Sequence, residues 1–214
     1  MKSLKKILIV TGCLTLISTS LVFASTNNDV NVSKSNEEQT TNSFTITGYE
    51  FTYENAPQPI KSDYEKKCKE LNINPSKDDT IFINEKFIDS YNINIDDYNI
   101  EPKAFIIRYK KDLNRFDVTG PISYSVNINT TVVGYGHVEK GNPVHLVQLL
   151  CQQINGSDID PDSKFGPATY NQVKILQGRL GVTKDGVVGK ATWQAAEIFY
   201  NKFHITLPSI SLTF

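Results

Sequence analysis

The sequence predicts an α+β protein of two domains, a small β-rich N-terminal domain and a C-terminal three-helix bundle. Two observations carry that reading. Residues 44–136 hold short runs in which apolar and polar residues alternate, the period of a half-buried strand. Residues 142–204 hold apolar residues at three- and four-residue spacing and a half-repeat. In that repeat Asp162-Ser163-Lys164-Phe165-Gly166-Pro167-Ala168-Thr169-Tyr170 recurs 23 residues later as Asp185-Gly186-Val187-Val188-Gly189-Lys190-Ala191-Thr192-Trp193.

The chain opens with Lys2, Lys5 and Lys6, an apolar run from Ile7 to Phe23, and Val22-Phe23-Ala24, the pattern of a secretory signal cleaved after Ala24. The competing readings are a retained membrane anchor and lipidation at Cys13 in Val10-Thr11-Gly12-Cys13. Leu14, Leu16 and Ile17 continue the apolar run past that cysteine, which favours cleavage. Residues 25–43 are rich in Ser, Thr, Asn and Glu. With so little apolar surface to bury, they read as a flexible spacer.

In the β-rich domain, residues 44–136, Phe44 to Thr47 alternates and Tyr49 to Tyr53 alternates in the opposite phase, which suggests a bulge at Gly48. Thr80–Asn84, Ala104–Lys110, Phe116–Thr119 and Ile122–Ile128 read as strands, with Thr130–Tyr135 as a hairpin partner for the last. One helix near 61–71 places Tyr64, Cys68 and Leu71 on one face. Residues 137–141 read as a linker and 205–214 as a tail.

Three helices are expected near 143–154, 167–180 and 190–202. Asn142-Pro143 supplies an N-cap and a first-turn proline, and Val144, Val147, Cys151 and Ile154 form one face. In each copy of the repeat the Asp favours a turn, because its carboxylate accepts from nearby backbone N–H groups. Gly166 and Gly189 relax the backbone, Pro167 suits a first helical position, and Thr169 and Thr192 fall in the first turn. Three such faces can close on one another and bury a core.

These landmarks resemble the three-helix peptidoglycan-binding domain family. The residues that carry the likeness are Val144-His145-Leu146-Val147-Gln148, Phe165-Gly166-Pro167-Ala168-Thr169, Val173-Lys174-Ile175-Leu176-Gln177, and Asp185 through Trp193. They follow the family pattern V-x-x-L-Q, F-G-P-x-T, V-x-x-F-Q and D-G-x-V-G-x-x-T-W in order. Val147 and Leu176 replace a more usual Leu and Phe, and Lys190 a common Pro. The resemblance covers about 60 of the 214 residues. It implies a stem-peptide or glycan ligand in a shallow groove. The candidate ligand residues are Phe165, Tyr170 and Trp193 as apolar walls, with Gln177 and Asp185 as polar partners. The structural alternative makes Phe165, Val188 and Trp193 core residues and Asp185 a turn cap.

Charge and chemistry narrow the rest. Without residues 1–24, which hold three lysines and no acid, 19 basic residues face 23 acidic ones, a net charge of −4. No basic stripe is present, which argues against nucleic acid as a partner. Cys68 and Cys151 remain. Cys151 lies on an apolar helix face, so a buried free thiol is expected. The histidines are His137, His145 and His204, none inside the β-rich part before the linker. A zinc hydrolase or a Cys–His nucleophile is therefore not legible there, and no G-x-S-x-G occurs. Carboxylate catalysis by Glu50, Glu54, Glu85, Asp89, Glu101 or Asp117 is the alternative, a cell-wall hydrolase. Asp158-x-Asp160-x-Asp162 lacks the glycine and the terminal Glu of a calcium loop.

The sequence thus reads as a secreted, cell-wall-associated protein with no cofactor and no metal, leaning away from an enzyme with the hydrolase reading left open. Its partner is peptidoglycan, bound through residues 142–204. Residues 44–136 are an accessory domain for another cell-surface component.

Overall fold

The structure, a computed structural model of the chain, describes residues 43–203, with side chains through Phe199. The expected signal, the spacer up to Asn42 and the tail lie outside the described residues. Five strands form one antiparallel sheet in the order β2-β1-β3-β4-β5. They are β1 (Ser43–Thr52), β2 (Thr80–Asn84), β3 (Lys103–Lys110), β4 (Arg115–Thr119) and β5 (Tyr124–Asn127). Helix α1 (Gln58–Glu70) lies between β1 and β2. Four asparagines, Asn72, Asn92, Asn99 and Asn114, hold left-handed backbone at turn positions, where Asn costs less than most residues.

The phase change at Gly48 has a different cause from the expected bulge. β1 runs in unbroken register, pairing with β3 from Ser43 to Gly48 and with β2 from Gly48 to Thr52. What changes is the face that is covered. Ile46 and Phe44 join a large core together with Phe82, Phe105, Phe116 and Val126. Phe51 and Tyr49 point the other way, into a smaller core with Ile60, Tyr64 and Cys68 of α1 and Ile81 and Ile83 of β2. Gly48 marks the crossing. A Cβ there would lie 2.3 Å from the Ile83 carbonyl oxygen and 2.6 Å from the Phe82 ring.

The helices begin where the repeat punctuates. α2 (Asn142–Leu150) continues into a π-helical turn over Cys151–Asn155, and α3 (Pro167–Leu180) and α4 (Lys190–Phe203) follow. Gly141, not Asn142, stands at the N-cap of α2, and its N–H donates to the Ser163 carbonyl. Residues 130–135 form no strand. Val133 instead bridges Val138 and Val188, because Trp193 occupies the neighbouring space and its indole N–H donates to the Thr131 carbonyl at 2.9 Å.

The large core is shared by sheet and helices. Val144, Leu146, Leu150 and Trp193 are fully buried in the same cluster as Ile107, Phe116 and Val118 of the sheet. Phe116 and Trp193 stand 6.2 Å apart, and His145 lies edge-on to Phe105 at 4.9 Å. Residues 137–141 are held as well. The Phe165 N–H donates to the Glu139 carbonyl, and Lys140 bridges Lys164.

Candidate functional site

Each copy of the repeat is organised by a buried glutamine from the preceding helix. Gln177 Nε2 lies 2.7 Å from Asp185 Oδ1, 3.0 Å from the Val187 carbonyl and 3.2 Å from Thr192 Oγ1. Its Oε1 accepts from the Gly186 N–H at 2.9 Å. Gln148 does the same one copy earlier. Its Nε2 lies 2.7 Å from Asp162 Oδ1, 3.1 Å from the Lys164 carbonyl and 3.2 Å from Thr169 Oγ1, and Ser163 N–H donates to its Oε1 at 2.9 Å. In both copies the Asp also accepts from the N–H two residues on. A primary amide suits this place because it donates and accepts at once, and buried polar atoms need partners.

The repeat is therefore two equivalent clamps, each fixing the turn that starts a helix. Position two of each turn has positive φ, +64° at Ser163 and +79° at Gly186. Gly186 carries a second constraint, since a Cβ there would meet the Tyr170 ring at 2.0 Å.

The five candidate ligand residues divide accordingly. Trp193 and Gln177 are fully buried, and Phe165 nearly so. The expectation that Phe165 and Trp193 form exposed walls is corrected, because the sheet and residues 131–138 cover the side that a lone bundle would leave open. Gln177 spends its amide on the clamp. Asp185 is exposed but committed to the turn. The Val187 N–H and then Gln177 hold its carboxyl below the usual range. Tyr170 is half-buried, with Lys174 Nζ 5.5 Å from its ring centre. It packs 5.6 Å from Tyr135, a residue the motifs did not mark. Tyr135 is 47% exposed and lies edge-on to Phe165 at 5.2 Å. Tyr135 and Tyr170 thus make an aromatic shelf beside the second clamp. An open groove from Gly181 to Thr192 runs along that clamp.

A deeper cleft of about 280 Å³ lies between α1 and the segment from Ser157 to Gln172. Asp160 is 5% exposed at its floor. The Phe82 backbone N–H donates to its carboxylate, while Oδ2 has no hydrogen-bond partner. Lys67 Nζ stands 3.9 Å from that Oδ2 and 2.8 Å from Asp63 Oδ2. Burial pushes the Asp160 carboxyl up to about 7. Burial opposes the Lys67 ammonium, but Asp160 and Asp63 outweigh it and its pKa is raised.

Two of the carboxylates considered for hydrolysis are held in ion pairs. Glu50 pairs with Lys103, while Asp117 pairs with Arg115 at 2.8 Å and accepts from Ser125 at 2.7 Å. Among the described residues no three His, Cys, Asp or Glu side chains converge on a metal site.

Residues 140–196 match a family model described as "Putative peptidoglycan binding domain", and residues 42–101 match a second family under the same description. Two separate segments of the chain thus match peptidoglycan-binding family models. No curated protein matches it. A solved structure of a peptidoglycan-binding protein from Clostridioides difficile, in complex with glutamine hydroxamate, matches with a TM-score of 0.60 and 29% identity. The match covers 73% of this chain and 94% of that one.

The first matched segment comprises β1, α1, β2 and the turns up to Glu101. It was legible only as a helix among strands, since it has no repeat and no glycine-marked turns. The cleft lies where that segment's α1 meets the second segment. Lys67 and Asp160 are 93 residues apart, so no local motif announces the pair. The one signal was Asp158-x-Asp160-x-Asp162, three acids alternating beside a proline.

Proposed function

We propose that this protein is a secreted cell-wall component that binds peptidoglycan noncovalently through both family domains and recognises its stem peptide. The observation that carries the reading is the pair of glutamine clamps, which lies inside the segment matched to a peptidoglycan-binding family. A second matched segment packs against the first. The glutamine hydroxamate in the C. difficile protein is an amino-acid derivative, which favours the peptide part over the glycan. The lysine-led apolar N-terminus fits export to the wall. Net negative charge in the mature chain argues against bulk attraction to an anionic polymer, so recognition rests on local contacts. The Tyr135–Tyr170 shelf and the Gly181–Thr192 groove supply them on the second domain, with Asp185 at the rim.

Co-sedimentation of residues 25–214 with purified sacculi tests the reading. The chain pellets with sacculi and releases no muropeptides detectable by chromatography. Failure to pellet removes the proposal. Muropeptide release lost on Glu50→Gln or Asp117→Asn would replace binding with hydrolysis.

A further inference from the structure

We propose that the cleft between α1 and residues 157–172 is a subsite for a zwitterionic amino-acid centre, one that keeps both its α-ammonium and its α-carboxylate. The inference deepens the stem-peptide reading above and rests on it for its biological ligand, though not for its chemistry.

Three features of the cleft select such a group. The first is Asp160. Its side chain is almost wholly buried where the residue lines the cleft, the Phe82 N–H donates to its carboxylate, and Oδ2, sealed from solvent beside Lys67, makes no hydrogen bond. A buried carboxylate oxygen left unmade is costly, and a donor that enters the cleft recovers that cost.

The second feature is Lys67. It stands within 4 Å of Asp160 Oδ2 yet hydrogen-bonds Asp63 instead, so a positive and a negative group face the same space side by side. The third is the rim. Glu70, Asp158 and Asp162 add negative charge, while Lys164 and the N-terminus of the fourteen-residue α3, at Gly166 to Thr169, add positive potential.

These features exclude the simpler ligands. A plain cation is drawn to Asp160 but repelled by Lys67. A plain anion is drawn to Lys67, Lys164 and the α3 terminus but meets five carboxylates. A zwitterion lays its ammonium against Asp160 and its carboxylate against Lys67, and neither charge is left unpaired. About 280 Å³ lies near the lower end of small-molecule sites. It is large enough for one amino-acid unit. The two walls come from different matched segments, so the ligand is clasped across their junction.

The test compares three molecules on one carbon skeleton. meso-Diaminopimelate carries two zwitterionic centres, cadaverine is the same chain without the carboxylates, and pimelate is the same chain without the ammonium groups. Residues 25–214 are titrated with each, by calorimetry and by amide chemical shifts. Diaminopimelate is expected to bind and to move the amides of residues 67–71 and 157–169. Cadaverine and pimelate are expected to bind at least tenfold more weakly. Asp160→Asn should weaken diaminopimelate at least tenfold without lowering Tm, because it removes a buried charge. Asp63→Asn, at a half-exposed position, should weaken it less.

Equal binding of all three molecules overturns the proposal, as does no binding of diaminopimelate, which would mean a solvent-filled cleft only. Co-sedimentation with sacculi is read separately. A chain that pellets but ignores diaminopimelate keeps the wall-binding function and loses this subsite. A chain that binds diaminopimelate but does not pellet keeps the subsite and loses the wall.

Discussion

Gln148 and Gln177 show how far a single side chain can organise a turn. Each is sealed from water and makes four hydrogen bonds with turn or helix-start groups. Gln177→Ala strands the buried Gly186 N–H and leaves the Val187 carbonyl with only the Gly189 N–H, and urea unfolding should show a loss of about 2–4 kcal/mol. The left-handed position two gives a contrast between the copies. Ser163→Gly relieves positive φ and should raise stability by roughly 1 kcal/mol. Gly186→Ala imposes that strain and also drives a methyl into Tyr170, so it should destabilise by about 1–3 kcal/mol.

Two buried ionisable residues set opposing pH dependences. Burial lowers His145 to about 4, below its unfolded value of 6.5, so the fold keeps it neutral beside the Tyr124 hydroxyl, 2.6 Å from Nδ1. Its contribution is present above pH 6.5 and is lost as pH falls towards 4. Asp160 is the reverse case. Its folded value near 7 exceeds the unfolded 3.8, so its contribution is full below about pH 4 and is lost as pH rises through 7. The slopes oppose over pH 4 to 7. Asp160→Asn removes one of them, so Tm of that variant should rise more steeply from pH 4 to 6.5 than Tm of the parent.

At the scale of elements, the helices were legible because their ends are chemical. Proline, glycine, Asp and Thr at fixed offsets placed α3 and α4 within a residue or two. The strands were nearly as clear where one face meets a core, as in β3 and β4. Alternation misled where both faces are buried. β2 covers the large core with Phe82 and the small one with Ile81 and Ile83, and β1 passes between them at Gly48. The cysteines follow from the same packing. Cys68 on α1 and Cys151 at the end of α2 are buried free thiols, and burial raises both. Aromatic disulfide reagents should leave residues 25–214 unmodified in the native state and titrate two thiols in denaturant.

For the whole molecule the shared core is decisive. Trp193, the chain's one tryptophan, lies against Phe116 of the sheet and bonds the Thr131 carbonyl. Its emission reports on the sheet–helix contact, while far-UV dichroism reports on backbone. Both signals should give one midpoint in urea, since neither module can leave without exposing the other's apolar face. Two separate midpoints would mean that the modules are independently stable. By the same packing, residues 140–214 alone should show a lower midpoint than the intact protein.

The sequence alone determined the local devices. The repeat, the helix starts, the alternating strands and the peptidoglycan-binding likeness of the last third all depend on residues close together in the chain. Turn chemistry and helical spacing are local, so one chain suffices to read them. The tertiary structure decided what those devices face. It buried Trp193 against the sheet and Phe165 beside Tyr135, brought Tyr135 to Tyr170, and set Lys67 across from Asp160. Those outcomes depend on which surfaces of two distant modules meet. That is a matter of long-range packing, which no short pattern in the chain encodes.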